Sequence, residues 1–277
     1  ETTYVDLVSK RLGVETDLFD YIQANTFEVR LGSGHGGARS MHMGAATMIL
    51  AVEEVIGKAK GVAAVLLQAE IDELSFKNGL FRSGSGNRSV TLKEVAIAAR
   101  DDRIAPHLEG MGLDTFTKRE DAPFTFPNGC HAAEVEIDPE TGSVTLIRYI
   151  MVDDYGSLVN PVLTEGQLHG GVAQGIGQAL MEFVSFDENT GQLLSGSLMD
   201  YTLPRAAMLP NFEATLEGAP TQANILGVKG VGQAGCIAAP QTIVHAVLNA
   251  LSPLKIIHLD MPLTSQSIWR AISATRA

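Results

Sequence analysis

Glycines surround a single amide side chain in the stretch GVKGVGQAG, residues 227 to 235. Glycine lowers the stability of a segment unless the backbone turns sharply or approaches another group closely, so four glycines around Gln233 need a reason. Two other stretches, GSGHGGARS and GQLHGGVAQGIG, have a similar composition. Taken singly, each is typical of a tight turn or of close helix contact. Together they offer backbone N–H groups and the amides of Gln174 and Gln233 to a ligand rich in phosphate and carbonyl groups.

A metal site or a nicotinamide site is less consistent with the sequence. Four histidines could suggest a metal: His35, His42, His131 and His169. No two of them have the i, i+4 spacing of a HExxH helix, so we interpret them as loop or core histidines and predict no metal ion ligated by protein side chains. Gly32, Gly34 and Gly37 match GxGxxG, but the acidic residue expected about 20 residues later falls inside a predicted helix, which disfavours a nicotinamide-binding domain.

Carboxylates and thiols are further candidates for catalysis. Four carboxylates could form an acid–base site: Glu134, Glu136, Asp153 and Asp154. In an alternating strand the two glutamates face the same side, which is more typical of a solvated face. Cys130 and Cys236 have no base beside them and no CxxC or CxH spacing, so we interpret both as unreactive thiols of a cytoplasmic protein.

The composition predicts a folded protein without nucleic-acid or membrane partners. Hydrophobic residues make up 45% of the 277 residues and charged residues 19%, as in globular proteins. The formal net charge is −12 and the lysines and arginines are scattered, so no basic stripe is available for a nucleic-acid backbone. The apolar runs MILAV and GVAAVLL are too short to span a bilayer.

The elements that must position these residues alternate between helices and short strands. TFEVRL alternates like a strand, GSGHGGARS follows as a loop, and MHMGAATMILAVEEVIGKAK and GVAAVLLQAEI are predicted as two helices. LSFKNGLFRS is predicted as a hairpin that turns at Asn78 and Gly79. Thr91 and Glu94 form a capping box for the helix in TLKEVAIAAR.

The second half of the chain predicts two hairpins and three helices. HAAEVEI and SVTLIRYIMV flank the turn DPETG, and FVSF and QLLSGSL flank DENTG. Thr164 with Gln167 is predicted to cap the helix LTEGQLHGGVAQGIGQALMEF, whose glycines imply that another group approaches closely. Pro240 suits the first turn of the next helix, and Thr264 suits the N-cap of the last one. The fold class predicted from these elements is α+β, with helices packed on mixed sheets.

The polar, proline-containing segment after the first half is the predicted linker. A subdivision into residues 1–105 and 125–277, joined by 106–124, follows from it. The chain opens in a helical pattern without methionine, with Tyr4, Leu7, Val8 and Leu12 on one side. We therefore expect a piece of a longer polypeptide, with these four side chains exposed for the missing portion.

Several motifs resemble those of a known family. HAAEVEIDPETGSVTLIRYIMVDDYGSLVNP, GQLHGGVAQGIGQALMEF, MDYTLPRA, GVKGVGQAG and MPLTSQSIWRAI occur in the order and spacing of the molybdenum-binding large subunits of molybdenum hydroxylases. That family includes xanthine dehydrogenase, aldehyde oxidase and carbon monoxide dehydrogenase. The resemblance covers essentially the whole chain, taken as residues 1–277 of the C-terminal part of a molybdenum-cofactor-binding domain. The last motif looks most like the carbon monoxide dehydrogenase large-chain branch.

The resemblance implies a molybdenum cofactor held without protein ligands to the metal. In bacterial members the cofactor is usually molybdopterin cytosine dinucleotide, bound through backbone and amide groups. By position, the residues implied to bind it are Gly36, Gly37, Ala38, Arg39, Ser40, Gln174, Lys229, Gly230 and Gly232. Iron–sulfur clusters and FAD are implied on partner chains, because this chain lacks the cysteines for clusters.

Two departures from the family pattern limit the functional expectation. The family has glutamate at position 233 as its catalytic general base, whereas Gln233 keeps the shape without a basic oxygen. A GQG motif and the substrate-lining loops that the family carries upstream are missing from this sequence, so the chain is expected to be a fragment or the smaller half of a split large subunit.

The sequence therefore predicts the cofactor-binding portion of an oxidoreductase. The expected reaction oxidises a carbon centre with water as the oxygen source, and the isolated chain is expected to be inactive. Expected partners are the upstream half of the molybdenum subunit, an iron–sulfur subunit and an FAD subunit. The alternative is a non-catalytic paralogue or an assembly subunit that has lost the general base.

Overall fold

The chain folds into two compact units. The computed structural model describes residues 1–29, 31–32, 34–84, 88–101, 104, 112–119 and 123–276. The first unit comprises Glu1–Pro123 with Ala223–Leu226, and the second comprises Phe124–Gln222 with Gly227–Ala277. Residues 106–111 and 120–122 of the predicted linker lie outside the described residues. Both units combine helices with a small sheet, which confirms the predicted α+β class.

The first unit packs helices against a three-stranded antiparallel sheet. Its elements are α1 (Thr2–Leu12), a π-helix (Ser40–Ala45), α2 (Ala46–Leu67), β1 (Leu74–Lys77), β2 (Leu80–Ser83), β3 (Ser89–Thr91) and α3 (Leu92–Ala98). The predicted turn is confirmed, because Asn78 and Gly79 both have positive φ, as a two-residue hairpin turn requires. The capping box is also confirmed: Glu94 N donates to Thr91 Oγ1 at 3.1 Å, and Thr91 N donates to the Glu94 carboxylate at 2.8 Å.

Three predictions for the first unit are wrong. Thr26–Glu28 form a turn closed by Val29 N to Asn25 O at 2.7 Å, so the described part of TFEVRL is not a strand. The two predicted helices are the single helix α2, because Gly57 and Gly61 do not interrupt a helix whose apolar side is buried throughout. The apolar side of α1 is half buried rather than exposed, and Val8 and Leu12 pack against the core of this unit.

The second unit is built on a mixed three-stranded sheet. Its strands are β4 (Asn128–Ile137), β5 (Val144–Asp154) and β6 (Phe212–Leu216), and its helices are α4 (Pro161–Leu180), α5 (Ala234–Leu251) and α6 (Ser265–Ala274). β5 lies in the middle, antiparallel to β4 and parallel to β6. The predicted hairpin around DPETG is confirmed by the pairing of β4 with β5. The predicted hairpin around DENTG is reduced to one isolated bridge between Phe186 and Leu193, because the flanking segments do not enter a sheet.

The sequence pattern identified the N-cap of α6 but not the N-cap of α4 or the position of the proline in α5. Asn160 caps α4 by accepting the Leu163 N–H at 3.1 Å, and Pro161 occupies the first turn, so the predicted cap at Thr164 is wrong. Pro240 lies inside α5 rather than in its first turn. Thr264 caps α6 as predicted, by accepting the Ser267 N–H at 3.2 Å.

Close contact between α4 and α5 explains two of the five glycines in the stretch GQLHGGVAQGIG. A Cβ at Gly171 would lie 3.0 Å from Cys236 N, and a Cβ at Gly175 would lie 2.6 Å from Ala239 Cβ and 2.9 Å from Pro240 Cδ. By contrast, a Cβ at Gly166 or Gly170 would have no heavy atom within 4 Å. The group that approaches Gly171 and Gly175 is therefore a neighbouring helix.

Two alanine substitutions on α4 test this close approach. We expect Gly166→Ala to raise the free energy of unfolding by up to about 1 kcal/mol, because alanine favours an exposed helix position. Gly175→Ala should lower it by about 1–2 kcal/mol, because overpacking costs more than the helix propensity gains. Urea unfolding of both variants measures the difference, and an equal increase in stability for both would contradict the contact.

Within the part of the chain that the structure describes, one helical stretch is long and apolar enough to cross a bilayer by length and composition alone. It is Ala234–Leu254, formed by α5 and the turn after it. Four of its apolar side chains, Ala239, Ile243, Val247 and Leu251, are buried in the core of the second unit. Core helices pass the same test of composition, so this stretch is weak support for a membrane span.

Candidate cofactor site

The glycine loop of the first unit forms a tight turn beside the π-helix. Arg39 N donates to His35 O at 3.4 Å, and Gly37 and Ala38 between them have φ values of 79° and 56°. A Cβ at Gly36 or Gly37 would have no heavy atom within 4 Å. Packing within the described chain therefore does not explain why residue 36 is a glycine. The loop thus presents open backbone to its surroundings.

The loop of the second unit, residues 227–235, is fixed by a pair of glycines. Gly156 and Val228 form an antiparallel bridge, and Ser157 N donates to Gly227 O at 2.9 Å. A Cβ at Gly156 would lie 2.3 Å from Gly227 O, and Gly156 has a φ of +67°. Gly227 also has positive φ, and a Cβ there would lie 2.8 Å from Pro220. Larger residues at either position would push this loop away from the end of β5.

Lys229 is held by an ion pair within the second unit. Its ammonium donates to Asp154 Oδ2 at 2.5 Å, and its side chain is 13% exposed. Burial alone would raise the pKa of Asp154, but the hydrogen bonds from Lys229 and from the Gly156 N–H, with the charge of Lys229, lower the pKa below its ordinary value. The lysine therefore fixes the loop, and its charge is largely matched by Asp154.

The rest of the loop is positioned by Thr125 and Gln167. Gly230 N donates to Thr125 Oγ1 at 3.2 Å, and Gln167 Nε2 donates to Gly232 O at 3.1 Å. Gln233 follows as the N-cap residue of α5, and its side chain makes no capping hydrogen bond. Among the residues that the structure describes, the exposed Gln233 amide has no hydrogen-bond partner.

Gln174 lies on the exposed side of α4. It is two turns beyond Gln167, so the two amides share one helix face, and Gly170 stands between them on that face. Gln174, Lys229, Gly230, Gly232 and Gln233 all belong to the second unit, whereas Gly36, Gly37, Ala38, Arg39 and Ser40 belong to the first. Within the second unit, the predicted residues therefore lie in the loop 227–235 and on α4, whose Gln167 side chain donates a hydrogen bond to that loop.

A buried hydrogen-bonded cluster accounts for two further candidates. His131 Nδ1 lies 2.9 Å from Tyr149 Oη, and His131 Nε2 lies 3.1 Å from Asp153 Oδ2. The side chains of His131 and Asp153 are only 2% and 6% exposed. Burial, and then the charge of Asp153, raise the pKa of Tyr149 to about 12, although a hydrogen bond with Thr242 lowers it. His131 is thus a core histidine, as the sequence predicted, while Glu134 and Glu136 are exposed.

Sequence reasoning missed the residues that support the loop. Four residues outside the loop each contact one residue of it, at up to 105 positions' distance in the sequence. The pairs are Thr125 with Gly230, Asp154 with Lys229, Gly156 with Gly227, and Gln167 with Gly232. A local signal was Asp154 at the end of β5, two residues before Gly156, whose N–H donates to the Asp154 carboxylate at 2.8 Å. Free Cys130 and Cys236 form no disulfide, and among the described residues no cluster of three metal-binding side chains is found.

Comparison with known proteins identifies the class to which this fold and these loops belong. The family model described as Molybdopterin cofactor-binding domain matches residues 1–210. The chain therefore belongs to the molybdopterin cofactor-binding domain family.

Particular relatives cover nearly the whole chain. It is 31% identical over 273 residues to the carbon monoxide dehydrogenase large chain of Hydrogenophaga pseudoflava, which covers 98% of this chain and 34% of the relative. It is 33% identical over 275 residues to the nicotine 6-hydroxylase large subunit of Paenarthrobacter nicotinovorans, covering 98% and 33%. The structure of reconstituted CO dehydrogenase from Oligotropha carboxidovorans superposes with a TM-score of 0.91 at 29% identity, over 100% of this chain and 34% of that one. The chain thus spans about a third of the length of these relatives.

Proposed function

We propose that this chain is the cofactor-binding portion of a molybdenum hydroxylase that carries molybdopterin cytosine dinucleotide. Membership of the molybdopterin-binding family carries the proposal. The relatives include a carbon monoxide dehydrogenase and a nicotine hydroxylase, which supports oxidation of a carbon centre as the reaction class. The exposed Cys130 and the unpaired Cys236 support a cytoplasmic location.

The residues present fit a cofactor bound through backbone and amide groups. Gly36 and Gly37 leave open space beside the backbone of one loop, and Gly170 leaves it on the exposed face of α4. Gln174 and Gln233 present exposed amides. We assign cofactor contacts to Gly36, Gly37, Ala38, Arg39 and Ser40 in the first unit, and to Gln174, Gly230 and Gly232 in the second. Lys229 contributes by holding its loop against Asp154.

The chain's own residues bind and orient the cofactor, whereas the residue at the position of the base holds no transferable proton. When bound, the cofactor supplies two-electron oxidation of carbon with oxygen from water. Gln233 occupies the position that we assign to the general base, and its amide donates and accepts hydrogen bonds without taking up a proton near neutral pH. Turnover by this sequence is therefore slow or absent.

That amide favours a second candidate function. A subunit that keeps the binding loops and lacks a base at position 233 suits a non-catalytic paralogue or an assembly subunit. Both candidates share the cofactor and differ in turnover. Metal analysis tests the shared part, and the rate of the substituted enzyme described in the Discussion tests the part that differs.

We further propose that the partner is a polypeptide that corresponds to the other two-thirds of these relatives, together with iron–sulfur and FAD subunits. A run of exposed apolar side chains in the second unit supports a protein partner: Phe183, Val184, Phe186, Leu193, Leu194, Leu198, Met199 and Leu203. Met199 is 93% exposed. Such a concentration within 21 residues is typical of an interaction surface.

Cofactor content tests the part that both candidates share and the need for a partner. We expect molybdenum and released cytidine monophosphate near one per chain when the chain is purified with its partners, and little of either when it is purified alone. Affinity made from convergent contacts falls steeply when part of the site is missing. Absence of molybdenum from the complete assembly would overturn the proposed function, and full occupancy of the chain alone would overturn the need for a partner.

A further inference from the structure

Strand β5 has a neighbour on one side only along the first half of its length. β4 pairs with the whole of β5, whereas β6 pairs only with residues 149–153 of it. Before β6 the chain leaves the sheet and forms a short 3₁₀ turn at Ala206–Met208. Within the described residues, no strand therefore lies beside residues 144–148 on the side opposite β4. We call that side of residues 144–148 the open edge of β5.

The hydrogen-bond pattern shows which backbone groups face the open edge. Asp138 N donates to Ser143 O at 2.9 Å, so Ser143 faces β4 and Thr145 is the next residue to do so. In an antiparallel pair, alternate residues turn their N–H and C=O groups to opposite edges. The groups of Val144 and Leu146 therefore face away from β4, and no hydrogen bond to them is found among the residues that the structure describes.

Burial of Leu146 makes the lack of a partner costly. Its side chain packs in the core of the second unit, and the residue is only 7% exposed. Buried backbone N–H and C=O groups are nearly always paired, because an unpaired one loses its hydrogen bonds to water without replacement. The open edge thus lacks a donor and an acceptor, which are the groups that the backbone of an added strand supplies.

A groove runs along the open edge. It has a volume of about 580 Å³, and its walls come from β5, from the chain before β6, from the end of α4 and from the start of α6. Most of the side chains that line it are apolar, among them Leu146, Ile147, Leu180, Met181, Met208 and Leu209. In the described part of the chain, no charged side chain lines this groove. The groove therefore suits an apolar segment rather than an anion or a basic peptide.

The groove adjoins the exposed apolar run of the second unit. That run begins at Phe183, two residues after Met181 of the groove wall, and ends at Leu203, four residues before Ala207 of the opposite wall. One partner can therefore cover both surfaces. The chain matches 34% and 33% of the length of two relatives, which leaves about two-thirds of each relative as the counterpart of such a partner.

We propose that the open edge of β5 binds an extended segment of the polypeptide that corresponds to the other two-thirds of these relatives. The identity of this partner rests on the proposed function, whereas the open edge and the groove are features of the second unit alone. The segment lies in line with β6, and its backbone forms hydrogen bonds with Val144 and Leu146. Its alternate side chains enter the groove, so every second residue of the segment is expected to be apolar.

Hydrogen exchange of the complete 277-residue chain, alone and in the assembly with this polypeptide, tests the strand addition. In the assembly, the amides of Val144 and Leu146 should exchange roughly 10–100-fold more slowly than in the chain alone, because a bonded amide exchanges only when the strand opens. The amides of residues 149–153 lie between two strands and should exchange slowly in both samples. Unchanged exchange at Val144 and Leu146 would overturn the proposal.

Val144→Pro removes the N–H at the open edge without removing a bond to β4. Proline is tolerated on an edge strand where its nitrogen faces away from the neighbouring strand. We expect this substitution to weaken binding of the partner polypeptide by roughly 5–100-fold, because a carbonyl of the added segment is left unpaired. Val144→Ala is the matched control, since it shortens the same side chain and keeps the N–H. It should weaken binding by no more than about threefold.

A second pair of variants keeps the test decisive if Val144→Pro does not fold, which urea unfolding establishes. Met208 is 49% exposed and lines the groove, so Met208→Lys should weaken binding by about tenfold or more through the cost of burying a charge. Ile257→Lys is its control, because Ile257 is 87% exposed in the second unit and does not line the groove. Equal losses of affinity within both pairs of variants would overturn the proposal.

Two further outcomes separate the partner from its alternatives. Slow exchange at the open edge that appears in the chain alone and increases with concentration would show that a second copy binds there, which overturns the stated partner. An assembly that protects the open edge but contains no molybdenum would refute the proposed function and leave the strand addition standing. An assembly that contains molybdenum and leaves the open edge unprotected would refute the strand addition alone.

Discussion

We expect Gln233→Glu to raise the turnover of the assembled, cofactor-loaded enzyme by roughly 10²–10⁴-fold, the usual contribution of general-base catalysis. A glutamate oxygen at this position takes up a proton released by water during the oxidation, which the amide does not. Gln233 is exposed and unpartnered among the described residues, so the substitution breaks no contact that the structure shows. The two side chains have nearly the same shape.

The fold should tolerate this change well. Residue 233 is the N-cap residue of α5, where the positive end of the helix dipole stabilises a carboxylate by about 0.3–1 kcal/mol. The free energy of unfolding should therefore stay the same or rise slightly. Any gain in rate then comes from chemistry rather than from a larger folded fraction.

Steady-state rates across pH, at matched molybdenum content, are the measurement. The rate of Gln233→Glu should rise as the new carboxylate ionises, whereas the native enzyme should lack that dependence. Gln241→Glu is the control, because it makes the same change on an exposed position of α5 beyond the loop. Equal rates for native enzyme and Gln233→Glu would show that residue 233 is not the position of the base.

The second large effect is expected from Gly156→Ala. Its φ of +67° disfavours any residue with a Cβ, and that Cβ would lie 2.3 Å from Gly227 O. A left-handed conformation costs an L-residue about 1–2 kcal/mol, and overpacking against fixed backbone adds about 1–3 kcal/mol. We expect the free energy of unfolding to fall by about 2–5 kcal/mol.

Gly191→Ala is the matched control for this substitution. Gly191 has a φ of +69°, and a Cβ there would have no heavy atom within 4 Å. In Gly191→Ala the free energy of unfolding should fall only by the cost of the left-handed conformation, about 1–2 kcal/mol. Urea unfolding of both variants isolates the collision with Gly227. Because Gly227 leads into residues 228–233, the Gly156→Ala variant of the assembled enzyme should also hold less cofactor. Similar losses of stability in both variants would show that the contact between Gly156 and Gly227 does not fix this loop.

Local sequence determined the elements whose stability comes from neighbours in the chain. The turn at Asn78 and Gly79, the capping box at Thr91 and Glu94, and the cap at Thr264 all depend on groups within three residues of one another. Hydrogen bonds of this range form in the same way in many folds, so their residue types are a reliable signal. The family motifs likewise identified the cofactor class from sequence.

Tertiary structure decided the features that depend on distant contacts. TFEVRL alternates like a strand, yet its described residues form a turn, because alternation becomes a strand only where a partner strand is present. Gly171 and Gly175 carry the same local signal as Gly166, and only contact with α5 distinguishes them. Lys229 is assigned to the cofactor loop by its position in the sequence, and only the fold places Asp154, 75 positions earlier, beside its ammonium. The sequence thus determined which loops are rich in glycine, whereas only the fold decided which glycines meet a helix and which stay open, because that depends on atoms that a local pattern does not contain.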